Sequence, residues 1–226
     1  MITLIDLSRH FGQGAGTKII LDRASLRIET QDRVGILAAT GTGKTTVARL
    51  LAGLDRANSG NLIRTGSLSW PLGFSSALHP HLSAAENVYL VAGLYNLDPV
   101  DLEIRVQAFA ELGRAFFGPV GDLAPGLRGQ LALGLSLSVD FDMYLADELS
   151  AVGPKHFQDK VEAAINARLE NSGLILLTRH IRTIERYCTR FVVLIGARFV
   201  ECEDAAQAQE ILTFDQQKEE VPHVLL

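Results

Sequence analysis

The chain has little cysteine: two residues in 226, Cys188 and Cys202. Two thiols at that separation make no disulfide framework and lack metal-ligand spacing, which predicts reduced thiols in a cytoplasmic protein. No apolar run approaches the ~20 residues of a membrane span, so no direct membrane insertion is expected. The opening residues, Met1 to Asp6, lack the charged and long apolar regions of a signal peptide, and no leader is expected. Basic charge is also in short supply. Lys and Arg number 21 against 26 Asp and Glu, a net charge of −5, and the pI is near 5.7. A free-standing nucleic-acid binder usually carries a basic field, so no nucleic-acid partner is expected. What the chain does have is 47% hydrophobic content, enough at this length for a large core in one or two domains.

The most informative stretch runs from Val34 to Leu50. It begins as an apolar run suited to a buried parallel strand and resumes as a helix with Val47, Leu50, Leu51 and Leu54 on one face. Between them lies a loop of small residues ending in Gly43-Lys44-Thr45, the end of a P-loop. Backbone N–H groups of such a loop wrap a triphosphate, and the following helix points its positive end at the same anion. Candidate phosphate-binding residues are therefore Ala39, Thr40, Gly41, Thr42, Gly43, Lys44, Thr45 and Thr46. Lys44 would reach the β- and γ-phosphates, and the Thr45 hydroxyl would hold Mg²⁺. The other reading of the stretch is a glycine-rich strand–helix turn that binds nothing. The usual pattern opens with Gly where this chain has Ala38. That methyl is harmless at ordinary backbone angles and costs on the order of 1–3 kcal/mol at strained ones.

Upstream, Ile2–Leu7 and Ala24–Glu29 alternate as antiparallel strands around a flexible tip at Gly12–Gly16. Phe11, beside the tip, either stacks on a base or packs the hairpin. Downstream of the P-loop helix come a turn at 56–61, short strands near Leu62-Ile63 and Ser67–Ser69, and an apolar loop at Trp70–Phe74. From Ser83 to Asp140 the pattern is helical. Ser83 to Glu86 reads as a capping box opening a helix through Leu94, Asp98-Pro99 opens a second through Phe109, and a third covers Leu131–Val139. A short apolar strand, Met143–Ala146, then ends in Asp147-Glu148, and acids at the carboxyl end of a buried strand lie where open parallel sheets bind ligands. Asp147 would accept from Mg²⁺-bound water and Glu148 would deprotonate an attacking water; the alternative is two solvated acids. A helix over Lys155–Glu170, a strand over Leu174–Thr178, a helix over Ile181–Cys188 and a strand over Phe191–Ile195 follow. The chain closes with a hairpin at 196–200, a short helix at 204–212, and a polar tail from Asp215 that is expected to be loose.

This order of motifs resembles the ATP-binding cassette (ABC) of ABC transporters over about residues 1–212. Within that family the chain is most similar to the ATP-binding subunits of capsular and related polysaccharide exporters. The matching stretches are Ser69–Gly73, Ala85–Val88, Ala92–Tyr95 and Ala151–Gly153. The resemblance implies an α/β fold of the P-loop NTPase class: one ABC-type ATPase domain over 1–226, with an antiparallel β lobe and a helical subdomain inserted at about 83–140. It implies ATP and Mg²⁺ as cofactors and a peripheral cytoplasmic position on the inner face of a bacterial inner membrane. The expected partners are a membrane-spanning permease subunit and a second cassette, as a homodimer or a mixed pair. Phe11 becomes the candidate adenine stacker, and Ala124 and Gly126 the loop that meets the partner's γ-phosphate. No carbohydrate-binding extension is expected before the chain ends at Leu226.

Several positions depart from the family pattern. The signature serine is replaced at Ala124, and Pro125 beside it has no N–H to donate. Pro154 stands for an aspartate, a glutamine expected near Phe74 is absent, and Ala38 replaces a glycine. The switch histidine falls on Arg179, with His180 one place later. Arg179 joins Glu148 as a catalytic candidate because a guanidinium binds phosphate well, and His180 as the displaced histidine, whose other reading is no direct ligand role. The other reading sets Arg179, Arg182 and Arg186 on one solvated helix face. Loss of a γ-phosphate donor can cost about 10²–10³ in rate. Two functions therefore compete: a hydrolysing export subunit, and a nucleotide-binding structural or regulatory subunit, or degenerate half of a mixed pair, with little hydrolysis. Chromosome-associated cassettes, GTPases and kinases fit poorly, because their insertions and base- or catalytic-loop motifs are missing.

Overall fold

A computed structural model describes residues 1–12, 14–149 and 153–220. Gln13 of the hairpin tip, Ala151 and Val152 of the Ala151–Gly153 stretch, and the last six residues lie outside that description. Two compact units divide the chain: 1–71 with 142–149 and 172–226, and 72–141 with 150–171.

The first unit holds two sheets. β1 (Ile2–Phe11), β2 (Lys18–Ile28) and β4 (Ser59–Arg64) form an antiparallel sheet in the order β2-β1-β4. The larger sheet runs β5-β6-β7-β3-β8-β9, built from β5 (Leu68–Pro71), β6 (Met143–Asp147), β7 (Gly173–Thr178), β3 (Arg33–Leu37), β8 (Arg190–Ile195) and β9 (Arg198–Cys202). Its first five strands are parallel, and β9 pairs antiparallel with β8. β7 is buried along its whole length, as expected of a parallel strand covered on both faces. The core joins Val34, Ile36, Val47, Leu50, Leu145, Ile175, Leu177 and Val192 to the inner face of the antiparallel lobe.

β5 differs from the sequence expectation. Trp70 and Pro71, read as an apolar loop, belong to this strand. Pro71 is tolerated because β5 lies at the sheet edge, where a missing N–H leaves no partner unsatisfied. The buried Ser69 hydroxyl donates to the Trp70 carbonyl (2.7 Å) and accepts from Leu145 N–H (2.9 Å), fastening β5 to β6. At the start of the same pair, Asp142 Oδ2 accepts from Ser67 N–H (2.7 Å) and Ser67 Oγ (2.9 Å). The Ser67 amide first, and its hydroxyl second, hold the Asp142 carboxyl below its ordinary value of 3.8. A depressed carboxyl stabilises the fold fully above the unfolded value and loses that contribution as pH falls through the folded one. Asp142→Asn should therefore lower stability at pH 7, and its deficit against the unaltered chain should shrink below about pH 3.8 in denaturation curves.

α1 (Lys44–Ala52) ends where the Gly53 N–H bonds back to Arg49 and Leu50. Leu54, expected on the apolar helix face, lies past that stop and is exposed. α6 (Ile181–Tyr187) follows β7, and α7 (Ala205–Glu220) is longer than the short helix expected. The polar stretch 215–220, expected to be loose, is helical.

The second unit is helical. α2 (Ala84–Tyr95) opens with the expected reciprocal capping box of Ser83 and Glu86, and α3 (Pro99–Ala110) is capped by Asp98 with proline at its start. α4 (Pro125–Ser138) begins six residues before the expected Leu131, because Pro125 at the first helical position suits a helix start. α5 (Lys155–Arg168) buries Phe157 and Ile165, with Phe157 edge-on to Phe109 at 5.6 Å. Among the described residues, no helix is long and apolar enough to cross a membrane.

Candidate functional site

The carboxyl ends of β3, β6 and β7 emerge side by side in the larger sheet, and each carries candidate residues. β3 leads into the P-loop, where Gly41 (φ 86°) and Gly43 (φ 100°) take left-handed angles. A Cβ at Gly43 would stand 2.7 Å from Ile20 of β2, so glycine there also lets the antiparallel lobe close on the loop. Ala38 has no left-handed angle; it is buried, and its N–H donates to Thr178 O at 3.0 Å. The alanine in place of glycine thus costs no backbone strain.

The loop braces itself with side chains. Thr42 Oγ1 donates to Ala39 O at 2.8 Å, and Lys44 Nζ donates to Ala38 O (3.2 Å) and Ala39 O (2.9 Å). From Thr40 to Thr46, by contrast, no backbone N–H donates to a described residue. That row ends on the first turn of α1, where the helix dipole adds positive potential. A chain of unpaired donors with a lysine at its centre is an anion cradle.

Glu148 follows β6 with φ 62°, a left-handed angle that costs a non-glycine residue roughly 1–2 kcal/mol. Its N–H donates to Leu177 O at 2.9 Å. Its carboxylate accepts from Thr178 Oγ1 (2.5 Å) and Arg179 N–H (3.2 Å), and lies 3.8 Å from Lys44 Nζ. The structure therefore brings the Lys44 and Glu148 side chains together and adds the backbone N–H of Arg179, whose guanidinium turns to His180 instead. Asp147, one residue earlier, and Thr45, on α1, have side chains that bond no described residue. Arg179 Nε donates to His180 Nε2 at 3.2 Å. Because arginine is always the donor, Nε2 of His180 is its unprotonated nitrogen in this arrangement.

A cleft of about 530 Å³ opens on the β8 side of the P-loop, away from Glu148, bordered by Ile19, Ile20, Thr40, Thr42, Leu194 and Ala197. Phe11 lies at the end of β1, opposite Lys18, and is 43% exposed. The Arg9 guanidinium sits 4.2 Å from its ring centroid, so one face is already covered by a cation. Ala124 and Gly126 belong to the second unit, at the start of α4. Ala124 is the helix N-cap and supplies no side-chain bond.

Sequence reasoning missed Thr178, which read only as the last residue of a buried strand, and it missed the cleft. Finding Thr178 needed the β6–β7 register, in which Asp147 faces Leu177.

No family model matches the chain. Curated proteins do. The capsule polysaccharide export ATP-binding protein CtrD of Neisseria meningitidis serogroup B is 32% identical over 93% of this chain and 97% of its own length. The ATP-binding protein BexA of Haemophilus influenzae matches with the same identity and coverage. The polysialic acid transport ATP-binding protein KpsT of Escherichia coli is 32% identical over 83% of this chain and 87% of its own. Among solved structures, the dimeric post-hydrolysis state of the ATP-binding cassette MJ0796, bound to ADP and Pi, superposes with a TM-score of 0.74 at 17% identity, covering 90% of this chain and all of that one. The fold is that of an ABC ATPase, an α/β P-loop cassette with an antiparallel lobe, and the chain belongs to the family of capsule and polysaccharide export ATP-binding proteins.

Proposed function

We propose that this chain binds Mg²⁺ and ATP and hydrolyses ATP as the cytoplasmic nucleotide-binding subunit of an exporter of capsular or related polysaccharide. The observation that carries the reading is the row of N–H groups from Thr40 to Thr46 that donate to no described residue, with Lys44 and Glu148 beside it. A triphosphate there would take the cradle N–H groups and draw Lys44 Nζ from the Ala38 and Ala39 carbonyls. With its γ end toward Glu148, its nucleoside would extend toward the cleft on the β8 side, where Ile19 and Ile20 offer apolar contact; Phe11, at the end of β1 and outside that lining, is the candidate stacker. Thr45 and Asp147 fit Mg²⁺, a hard cation that commonly takes one or two protein oxygens and leaves the rest to phosphate and water. When bound, the ion offsets charge on the transferred phosphoryl group.

The Glu148 carboxylate then orients a water and takes its proton. Arg179 is the switch-position cation: its Nε donates to His180 Nε2, and its remaining donors would be available to a phosphate. The subunit works beside a membrane-spanning permease on the inner face of the membrane, paired with a second cassette whose Ala124–Gly126 loop completes the site. The test is calorimetric titration with Mg-ATP. One ATP per chain supports the reading, and the absence of heat at millimolar nucleotide contradicts it.

A second reading, a binding subunit with little turnover, is favoured by Ala124, whose methyl can neither cap α4 nor donate to a phosphate. Ala124→Ser should stabilise the chain by about 1 kcal/mol through the cap alone. If the loop meets a partner's γ-phosphate, phosphate release should also rise, by about tenfold or more. Added stability without added turnover would count against that placement.

A further inference from the structure

Thr178 closes β7 and is fully buried, yet its hydroxyl serves no strand ladder. It accepts from His180 N–H at 3.1 Å, which directs its single proton toward Glu148 Oε2, 2.5 Å away. On the other side Glu148 Oε1 accepts from Arg179 N–H. Glu148 departs from β6 at a left-handed angle, so the backbone alone does not settle where its carboxylate points. We propose that Thr178 is the positioning residue for Glu148: the end of the neighbouring strand, through this hydroxyl, sets the direction in which the base's carboxylate points. The proposal rests on the reading of Glu148 as the base.

Removing the hydroxyl in Thr178→Val, which keeps the branched shape, leaves the carboxylate held by the Arg179 N–H alone on this side. The variant should lower kcat by about tenfold, the value of one hydrogen bond to a charged group, with KM for Mg-ATP unchanged. Thr178→Ser, which retains the oxygen, should restore kcat. A Thr178 that serves packing alone would lower stability and leave kcat in place, and that result overturns the proposal.

A second measurement reads the link without turnover. In the nucleotide-free chain, Thr178→Val should lower Tm by about 3 °C, and by clearly less in a Glu148→Ala background, where the acceptor is already gone. Equal losses in both backgrounds overturn the proposal. The outcomes separate it from the hydrolysis reading. A chain without turnover but with coupled Tm values keeps the Thr178–Glu148 link and loses the hydrolysis; turnover with additive Tm values and a kcat that Thr178→Val leaves unchanged does the reverse.

Discussion

Lys44→Ala is expected to abolish nucleotide binding. The lysine is 11% exposed at its side chain, and its Nζ is aimed into the loop, on Ala38 O and Ala39 O. Those carbonyls hold it at the centre of the N–H row, where a phosphate would replace neutral acceptors with charged ones. Each charge-assisted hydrogen bond contributes roughly 1.5–3 kcal/mol, so loss of two weakens ATP binding by about 10²–10⁴-fold. Calorimetry with Mg-ATP reads this directly. Affinity of the variant within about threefold of the unaltered chain would remove the P-loop from the account. The fold should persist, because the core residues behind the loop, Val34, Ile36, Val47 and Leu50, do not touch the lysine's function.

Glu148→Gln is expected to keep ATP binding and to lose hydrolysis by about 10²–10⁴-fold, the usual contribution of a positioned general base. The amide oxygen can accept from Arg179 N–H while its NH2 donates to Thr178 Oγ1, so both contacts survive while the proton acceptor does not. ATP bound but uncleaved should then accumulate on a dimer, seen as a shift in mass on size-exclusion chromatography with Mg-ATP. Full turnover by the variant would assign the base elsewhere.

Much of this was readable before any coordinates, where the signals are local. The P-loop lies between an apolar run and a helix, Ser83 and Glu86 form a capping box, and Asp98-Pro99 starts a helix; each is decided within a few residues. What escaped depends on register and neighbours. Trp70 and Pro71 looked like loop because nothing in their own sequence reveals an edge strand laid parallel to β6. The 215–220 stretch, polar throughout, carried no apolar period to mark it as helix. Thr178 acquires a role only because β6 and β7 align Asp147 with Leu177, which sets Glu148 against the next residue of β7. The harmlessness of Ala38 likewise depends on its backbone angle, which composition does not fix.

The competing functions, hydrolysis and nucleotide binding alone, share every residue of the cradle and part at Glu148. Steady-state phosphate release from Mg-ATP by the purified chain, with Glu148→Gln as the blank, therefore decides between them. Release well above the blank is the predicted result, and it would mean that the chain completes its own site despite Ala124 and Arg179. Release equal to the blank, with ATP binding intact, would contradict hydrolysis by this chain and leave a nucleotide-binding structural or regulatory subunit, or the degenerate half of a mixed pair.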